Sequence, residues 1–430
     1  MTLSYDELLE AVTADGVGVR AKLALEPLDG PGGKVFPSSY GVEDWAESKY
    51  ALEQRKVVDP DGTVRTVESV VLASVADLAN RQELALLDAY RSDEVNLPVI
   101  STDFSGAEGV EGLDRISSLE APHRVFDSLL RDSLLDGRLF RMSDPGRAIT
   151  EATTSNAAAL YHWSPTTLLF GGWDSTGPKG GRGSKYERAI TSEIVANDIA
   201  RGVKTSSRID PAGIELKAGT LYQAKIADPE AELEWTLDPA EAVGGEKKPT
   251  PVKGGGEGTA GRPSQVNHGN ITPSIDAKAG GVTAASIELS TVLSFIQLRR
   301  LRFPVDHAGS PIDLSARRAA EAAARAAIAA LGLAAAVLAY EEGFDLRSRC
   351  VLTATDDHTF ELIRRGSAAN STFTLTRDEA LALVAEAARK AADLGLSWAE
   401  EELLLTPADR LVELVRRSQA VAESNATEEA

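Results

Sequence analysis

The sequence contains one cysteine, Cys350, and five histidines in 430 residues. A single cysteine excludes an internal disulfide and a cysteine-rich zinc cluster. Its position in "RSRCVLTAT" indicates a small core residue and not a nucleophile. The histidines show no H-x-x-x-H spacing, so no motif points to a bound metal. We therefore expect neither a metal nor an organic cofactor.

A leader sequence and a membrane-spanning run are also lacking. The start, "MTLSYDELLEAVTADG", has neither the basic nor the apolar stretch of a signal peptide. The longest apolar run, "AAIAALGLAAAVLAY" at 326–340, is dominated by alanine and is too short for a bilayer. With 43% hydrophobic and 26% charged residues, the composition is that of a globular protein, and we expect it in the cytoplasm.

Positive charge is scarce overall, because the formal net charge is −20. This balance is only a weak argument against nucleic acid, since binding depends on the local potential and not on the sum. The charges are segregated along the chain. Residues 377–430 hold twelve acidic and six basic residues, whereas residues 179–188 hold four basic residues and one acid. A basic groove on an acidic body is compatible with this pattern.

The stretch "FGGWDSTGPKGGRGSKYERAITSEIVA" at 170–196 combines several glycines with these cations. Ser184 and Glu187 have the spacing of an S-x-x-E capping box, which predicts a helix from Lys185 to Gly202. Glycine-lined amides at a helix N-terminus, with cations nearby, would bind phosphate. The order of residues fits neither the nucleotide P-loop nor the dinucleotide G-x-G-x-x-G motif. The alternative is a glycine-rich turn with solvated charges.

The remaining sequence predicts a mixture of helices and strands. Between about 242 and 281 the composition shifts to Gly, Pro, Lys, Ser and Asn, which predicts a long mobile loop. The predicted elements are a helix at 4–14, a strand at 16–28, helices at 68–90, 117–137 and 282–304, a strand pair at 214–226 and 231–239, a long helix at 313–342, strands at 346–355 and 359–365, and two acidic helices after 377.

Several motifs together resemble one known family. The central stretch, "LLFGGWDSTGPKGGRGSKYERAITSEIVA", is similar to the signature of the CRISPR-associated RAMP superfamily protein that forms the backbone of type I-G (formerly type I-U) Cascade. The resemblance spans about Val17 to Thr355, and the acidic C-terminal helices match least well. The further matching stretches are "GGKVFPSSYG", "ESVVLASVADLANRQEL", "HRVFDSLLRDSLLDG", "NHGNITPS", "GGVTAASIELSTVLSFIQLRRLRF" and "LRSRCVLTA".

The resemblance implies an α+β fold, a modified RRM-like (ferredoxin-like) palm with large insertions that form a thumb and web. The palm would comprise residues 1–241 and 282–365, and residues 242–281 would form a flexible insertion that contributes to the thumb. Residues 366–430 would be an acidic helical extension. Copies of such a subunit stack along a CRISPR RNA (crRNA) and present it for pairing with target DNA. The implied partners are a crRNA-end-binding RAMP subunit, a large subunit and a recruited helicase nuclease, with no membrane involved.

The candidate RNA-binding residues are polar or cationic, or are glycines that let a backbone approach phosphate. The residues of the glycine-rich stretch are the first candidates, and a structural or surface role is the alternative for each of the others. Trp173 is expected in the core, with base stacking as the alternative. Arg299, Arg300 and Arg302 could instead form salt bridges to the acidic C-terminal helices. The candidates are Lys179, Gly180, Gly181, Arg182, Ser184, Lys185, Arg188, Lys34, Asn80, Arg81, His123, Arg124, His268 and Asn270.

We expect no catalysis, because a guide-holding scaffold needs only contacts to the RNA backbone. Two alternatives stay open. One is a CRISPR RNA-processing endoribonuclease with His123 or His268 as its general base. The other is a phosphotransferase or nucleotide hydrolase that uses the glycine-rich stretch. Asp174 is a nominal acid for RNA cleavage, but the resemblance is to a type I complex that leaves cutting to a recruited nuclease.

Overall fold

The computed structural model describes residues 2–43, 45–59, 61–177, 183–215, 217–226, 233–253, 260–366 and 368–429, with side chains to residue 422. The chain divides into two compact units. The first comprises Met1–Gly202 and Gly281–Val412, and the second comprises Val203–Gly280 and Glu413–Ala430. The second unit therefore begins well before residue 242, where the composition changes.

The secondary structure of the described residues mixes helices with strands. The helices are α1 (Tyr5–Thr13), α2 (Val75–Arg91), α3 (Ser128–Arg131), α4 (Asp144–Glu151), α5 (Ala158–Trp163), α6 (Pro165–Phe170), α7 (Phe295–Leu298), α8 (Leu314–Glu341), α9 (Arg377–Ala392) and α10 (Asp409–Glu429), with short 3-10 turns at Arg124–Phe126, Phe140–Met142 and Pro263–Val266. The strands are β1 (Gly16–Pro27), β2 (Leu52–Val58), β3 (Val64–Ala73), β4 (Ile100–Asp103), β5 (Arg115–Ser117), β6 (Ser133–Leu135), β7 (Arg138–Leu139), β8 (Gly172–Trp173), β9 (Lys185–Tyr186), β10 (Ile190–Arg201), β11 (Lys204–Arg208), β12 (Tyr222–Gln223), β13 (Trp235–Thr236), β14 (Ile271–Asp276), β15 (Val282–Ser294), β16 (Phe344–Arg347), β17 (Cys350–Ala354), β18 (Phe360–Arg364), β19 (Ser371–Phe373) and β20 (Leu403–Pro407).

The main sheet of the first unit is antiparallel and has the order β16-β17-β1-β15-β10-β3-β2, with β18 and β19 added beside β1. At its centre four strands lie side by side in the order β17-β1-β15-β10. Helix α2 lies in the connection from β1 to β10, and α8 lies in the connection from β15 to β17. The Val203–Gly280 part of the second unit is inserted in the chain between β10 and β15, which pair with each other along eleven registered positions from Ile190 to Arg201.

Helix α8 forms the core beneath one face of this sheet. Its many alanines allow close approach of neighbouring helices, and a Cβ on Gly332 would fit only tightly, at 3.0 Å from the Leu169 side chain and 3.2 Å from that of Leu293. By length and composition α8 is also able to cross a membrane, but 94% of its apolar window is buried inside the protein. We therefore interpret α8 as a core helix.

The opposite face of the main sheet is polar, and cations on it form ion pairs with glutamates of the same sheet. Arg20 of β1 contacts Glu361 at 2.6 Å, and Lys22 contacts Glu288 at 2.9 Å. Along β1 the residues alternate between buried and exposed, as expected for a strand with one solvated face. The central strands β1, β10 and β15 contain no aromatic residue. These three strands therefore offer no ring for base stacking, and the charges of Arg20 and Lys22 are neutralised.

A second sheet in the first unit has the order β5-β4-β20-β6-β7. Strand β20 comes from the C-terminal segment and pairs parallel to β4, with Leu403 opposite Ile100. It also pairs antiparallel to β6. The expectation of helices alone after residue 377 is therefore incomplete, because this strand joins the segment to the body of the unit.

Three predicted helices are wrong. Residues 185–202 form β9 and β10, and residues 282–294 form β15, with only the short α7 after it. In both segments β-branched residues alternate with small or polar ones, and pairing with neighbouring strands prevails over the helical pattern. Residues 117–137 contain a 3-10 turn, the four-residue α3 and β6 in place of one helix.

His358 makes the stability of the first unit sensitive to acid. Its side chain is buried, neither ring nitrogen has a hydrogen-bond partner, and it packs on Tyr340 and Phe360. Burial lowers the pKa of His358 to about 4. Below the ordinary histidine pKa of about 6.5, His358 is protonated in the unfolded chain but stays neutral in the folded chain. The free energy of unfolding therefore falls as the pH drops below about 6.5.

We predict that wild-type protein loses about 2 kcal/mol more of its unfolding free energy than His358→Phe between about pH 7.5 and pH 5. Phenylalanine keeps the ring packing but binds no proton. Urea unfolding at the two pH values measures the difference. An equal loss in both proteins would show that His358 does not titrate in this way.

Candidate functional site

The described residues on either side of the glycine-rich stretch form a β-hairpin. Gly172 of β8 pairs with Tyr186 of β9, Trp173 pairs with Lys185, and the Asp174 amide donates to the Ser184 carbonyl at 3.1 Å. No helix begins here, so the predicted helix N-terminus and its dipole cannot contribute to an anion site. The four candidates Lys179, Gly180, Gly181 and Arg182 lie outside the described residues.

A buried ion pair holds the base of this loop. Asp174 is only 3% exposed and receives two hydrogen bonds from Arg141, at 2.6 and 3.3 Å. Gly177 and Gly183 pack so closely that a Cβ on Gly177 would overlap the Asp174 carboxylate, and one on Gly183 would overlap the Asp174 carbonyl oxygen. Asp174 thus has a structural role, and both glycines are required by close backbone packing.

A second buried ion pair fixes the start of the hairpin. Arg124 contacts both carboxylate oxygens of Glu83 in α2, at 2.6 and 2.7 Å, and donates to the Gly171 carbonyl at 3.1 Å. The Arg124 backbone adopts a left-handed φ of 53°, and its guanidinium lies over the Phe170 ring. Burial raises the pKa of the Glu83 carboxyl to about 7, and the Arg124 charge acts in the opposite direction.

Arg124 was a candidate for RNA binding, with a structural or surface role as its alternative. Its side chain is buried with Glu83, which favours the structural role and leaves it unavailable to RNA. His123, the preceding residue, is exposed, and its backbone amide donates to Asp127. Arg124 was singled out in the sequence as a cation near a predicted helix start. Its position is determined instead by Glu83, a buried acid in α2 that is distant in sequence.

The hairpin has an inner and an outer face. On the inner face Tyr186 is buried and stacks on Phe126. On the outer face Lys185 is exposed, and its Nζ lies 5.9 Å from the centre of the Trp173 ring. Trp173 is 49% exposed, so its expected place in the core is wrong.

The residues that follow the hairpin carry further charge. Glu187 does not cap a helix but pairs with Arg300 at 2.5 Å. Ser184 donates its hydroxyl to the Ala152 carbonyl at 2.6 Å. Arg188 is exposed and forms no ion pair within the described ranges, and the same holds for Lys185. These two cations are therefore available to an external anion.

Other predicted residues lie elsewhere in the first unit. Arg81 pairs with Asp77 and donates to the carbonyls of Asp345 and Leu346, so it anchors α2 to β16, and Asn80 beside it is exposed. Lys34 packs over Gly281, next to the bridge between Val35 and Val282. That bridge is at the start of β15, whereas the hairpin adjoins its end, so roughly 40 Å of strand separates Lys34 from Lys185.

The three arginines after β15 do not contact the acidic C-terminal helices through any described ion pair. Arg299 donates to the carbonyls of Val12, Ala11 and Gly16. Arg300 pairs with Glu187, and Arg302 contacts Glu321 of α8 at 3.7 Å. The alternative of salt bridges to the acidic C-terminal helices is therefore wrong for the described residues, because Arg300 and Arg302 pair with acids elsewhere and Arg299 binds backbone carbonyls.

In the second unit, Asp210 organises the turn that contains His268 and Asn270. Its carboxylate accepts the Gly269 amide at 2.6 Å, and its own amide donates to Asn270 at 2.8 Å. Gly269 has a φ of 86°, which fits the tight turn predicted for "NHGN". The backbone hydrogen bond from Gly269 lowers the pKa of Asp210, and His268 lies 3.7 Å from its carboxylate. Asn270 therefore stabilises the turn.

Comparison with known proteins identifies one family. Residues 19–201 match the model of the family described as CRISPR-associated protein GSU0053. The match covers less than half of the chain but includes most of β1, α2 and the paired strands β8 and β9. No curated protein matches the chain. Over this segment the chain is similar to a CRISPR-associated protein family, which supports a role in a CRISPR system.

The buried pair makes a stability prediction. Arg124→Ala leaves the Glu83 carboxylate buried without a partner, and we expect a loss of about 3 kcal/mol in unfolding free energy near pH 7.5. The loss should shrink toward pH 5.5, because the isolated carboxyl takes up a proton in the folded state. Urea unfolding measures both effects.

Arg318→Ala is the control, since it removes an exposed arginine at the start of α8 and should cost less than about 0.5 kcal/mol. The double variant Glu83→Leu with Arg124→Met should lose less than Arg124→Ala alone. Equal stability of Arg124→Ala and Arg318→Ala would contradict a structural role for the buried pair.

Proposed function

We propose that the protein is the non-catalytic crRNA-binding backbone subunit of a type I CRISPR surveillance complex, of the type I-G Cascade kind. Copies oligomerise along the guide RNA and present it for pairing with target DNA in antiviral defence. The observation that carries the proposal is the coincidence of the CRISPR-associated family match with a hairpin that presents unpaired cations. The assignment to the backbone subunit of a type I-G complex rests on the sequence resemblance.

The strand order supports an RRM-like palm. In that fold four antiparallel strands have the order 4-1-3-2, with one helix in the connection from the first strand to the second and one in the connection from the third to the fourth. The neighbours β17, β1, β15 and β10 have this order when β1, β10, β15 and β17 are numbered along the chain. Helices α2 and α8 occupy the two helical connections. The β2–β3 hairpin is then an addition at the edge beyond β10.

The distribution of charge supports a local RNA-binding surface. RNA phosphates attract exposed cations, and Lys185 and Arg188 are exposed and form no ion pair among the described residues. By sequence, Lys179 and Arg182 extend the same cluster. On the main sheet, in contrast, Arg20 and Lys22 of β1 pair with glutamates. The hairpin thus carries a local group of cations in a chain with a net charge of −20.

The unit inserted between β10 and β15 is our candidate for the thumb. It contains the β11–β14 ribbon, in which Lys204 is opposite Asp276, and the turn at His268. We expect the other partners to be those of a type I complex, namely a crRNA-end-binding subunit, a large subunit and a recruited helicase nuclease. Target DNA would contact the protein through the guide.

A catalytic role has weaker support. Asp174 is occupied by Arg141, so it is not free to act as an acid in RNA cleavage. His268 with Asp210 is the one histidine–carboxylate contact among the described residues, but that carboxylate is already bound to backbone amides. The processing nuclease therefore stays as an outcome of the test below.

We predict that Lys185→Ala and Arg188→Ala each weaken binding to a short single-stranded RNA. Each variant should also reduce, by about one, the slope of the logarithm of the binding constant against the logarithm of the salt concentration. Fluorescence anisotropy over a range of salt concentrations measures both quantities. Arg318→Ala is the control, because Arg318 is an exposed arginine at the start of α8, and we expect no change. A loss that is equal for all three variants would indicate non-specific attraction.

The same purified chain, expressed with its operon partners, should carry RNA of defined length. Tight ATP binding without RNA would contradict the proposal and favour the nucleotide-binding alternative. RNA cleavage that His123→Ala or His268→Ala abolishes would favour the processing nuclease.

A further inference from the structure

The register of the hairpin forces Trp173 outward. Gly172 lies on the inner face, where a Cβ would approach Thr167 to 2.7 Å and the Phe126 ring to 3.2 Å. Side chains alternate along a strand, so the residue after Gly172 must face solvent. The opposite strand agrees, because Tyr186 is buried and Lys185 is exposed. The half-exposed indole is therefore imposed by the packing of its neighbours.

RNA-binding sheets usually stack bases on aromatic residues of their central strands. Here β1, β10 and β15 carry no aromatic residue, so the main sheet cannot supply such a ring from these strands. Trp173 is an exposed ring beside an unpaired cation within the matched family segment. Its contact with Lys185 is loose at 5.9 Å, near the limit for a cation–π interaction, and so leaves the ring available.

A cleft adjoins the same lysine. It has a volume of about 330 Å³ and is lined by Lys185, Gln297 and Arg300, among others. This volume is at the lower end for small-molecule sites, and so suits one nucleotide unit. Lys185 offers a cation for a phosphate and Gln297 a side-chain amide for hydrogen bonding, whereas Arg300 is paired with Glu187, which also lines the cleft. Lys185 thus lies between the Trp173 ring and this cleft.

We propose that Trp173 stacks on one base of the bound RNA while Lys185 contacts the adjoining phosphate. The inference rests on the proposed function and names a specific contact for it. Stacking on an indole tolerates any base, since every base has a π-face, which suits a protein that holds guides of many sequences. Trp173 then contributes affinity that is independent of salt, in contrast to Lys185.

The test measures binding of the full-length protein to a short single-stranded RNA and to the same oligomer with abasic positions. Trp173→Leu keeps apolar volume and removes the aromatic ring, and Trp173→Phe keeps a smaller ring. We expect Trp173→Leu to weaken binding to the intact RNA by about 5- to 150-fold, and Trp173→Phe to weaken it less. The salt slope should stay that of wild type in both variants, and a circular-dichroism melt confirms folding.

The abasic oligomer separates stacking from other roles of the ring. Wild type and Trp173→Leu should bind it equally, because no base is present to stack. An equal loss on the intact and the abasic RNA would overturn the inference and point to a structural or protein-docking role for Trp173. RNA binding that depends on Lys185 but not on Trp173 would overturn the inference alone. Absence of RNA binding by wild type would overturn the proposed function as well.

Discussion

The buried contact from Glu83 through Arg124 to the Gly171 carbonyl is the constraint on which the candidate site depends. It joins α2 to the first residue before the hairpin and requires an unfavourable left-handed backbone at Arg124. Glu83 is only 1% exposed, so its charge must be compensated inside the protein. Once Gly171 is fixed, the inner position of Gly172 and the outer position of Trp173 follow from the alternation of the strand.

The Arg141–Asp174 pair completes this arrangement on the loop side of the hairpin. Together the two buried arginines hold the hairpin from both ends, and Lys185 and Arg188 are the exposed cations among its described residues. The protein thus uses some of its arginines for internal rigidity and leaves others for an external anion. The centre of the main sheet follows a different principle, because Arg20 and Lys22 of β1 are paired with glutamates. Local potential, and not the total charge, therefore governs where a polyanion can bind.

Sequence reasoning predicted the elements that depend on local signals. A short helical pattern at 4–14, the alternation at 16–28 and the Ala/Arg-rich pattern at 313–342 predicted α1, β1 and α8, and all three are present. The segment after Ser184 misled the prediction, because a serine three residues before a glutamate also occurs at the start of a strand. The pairing of β10 with β15 and β3 decides its conformation, and these partners are distant in sequence. The burial of Arg124 and the parallel strand β20 depend in the same way on non-local contacts, as does the exposure of Trp173.

The central claim is that the hairpin, and not the open face of the main sheet, contacts the RNA. Ultraviolet crosslinking of the RNA-bound protein followed by mass spectrometry of the crosslinked peptides tests it most directly. We predict crosslinks in the peptide segment that contains Trp173 and in the one that contains Lys185 and Arg188. Crosslinks concentrated in β1 and β15, with none in the hairpin, would contradict the account.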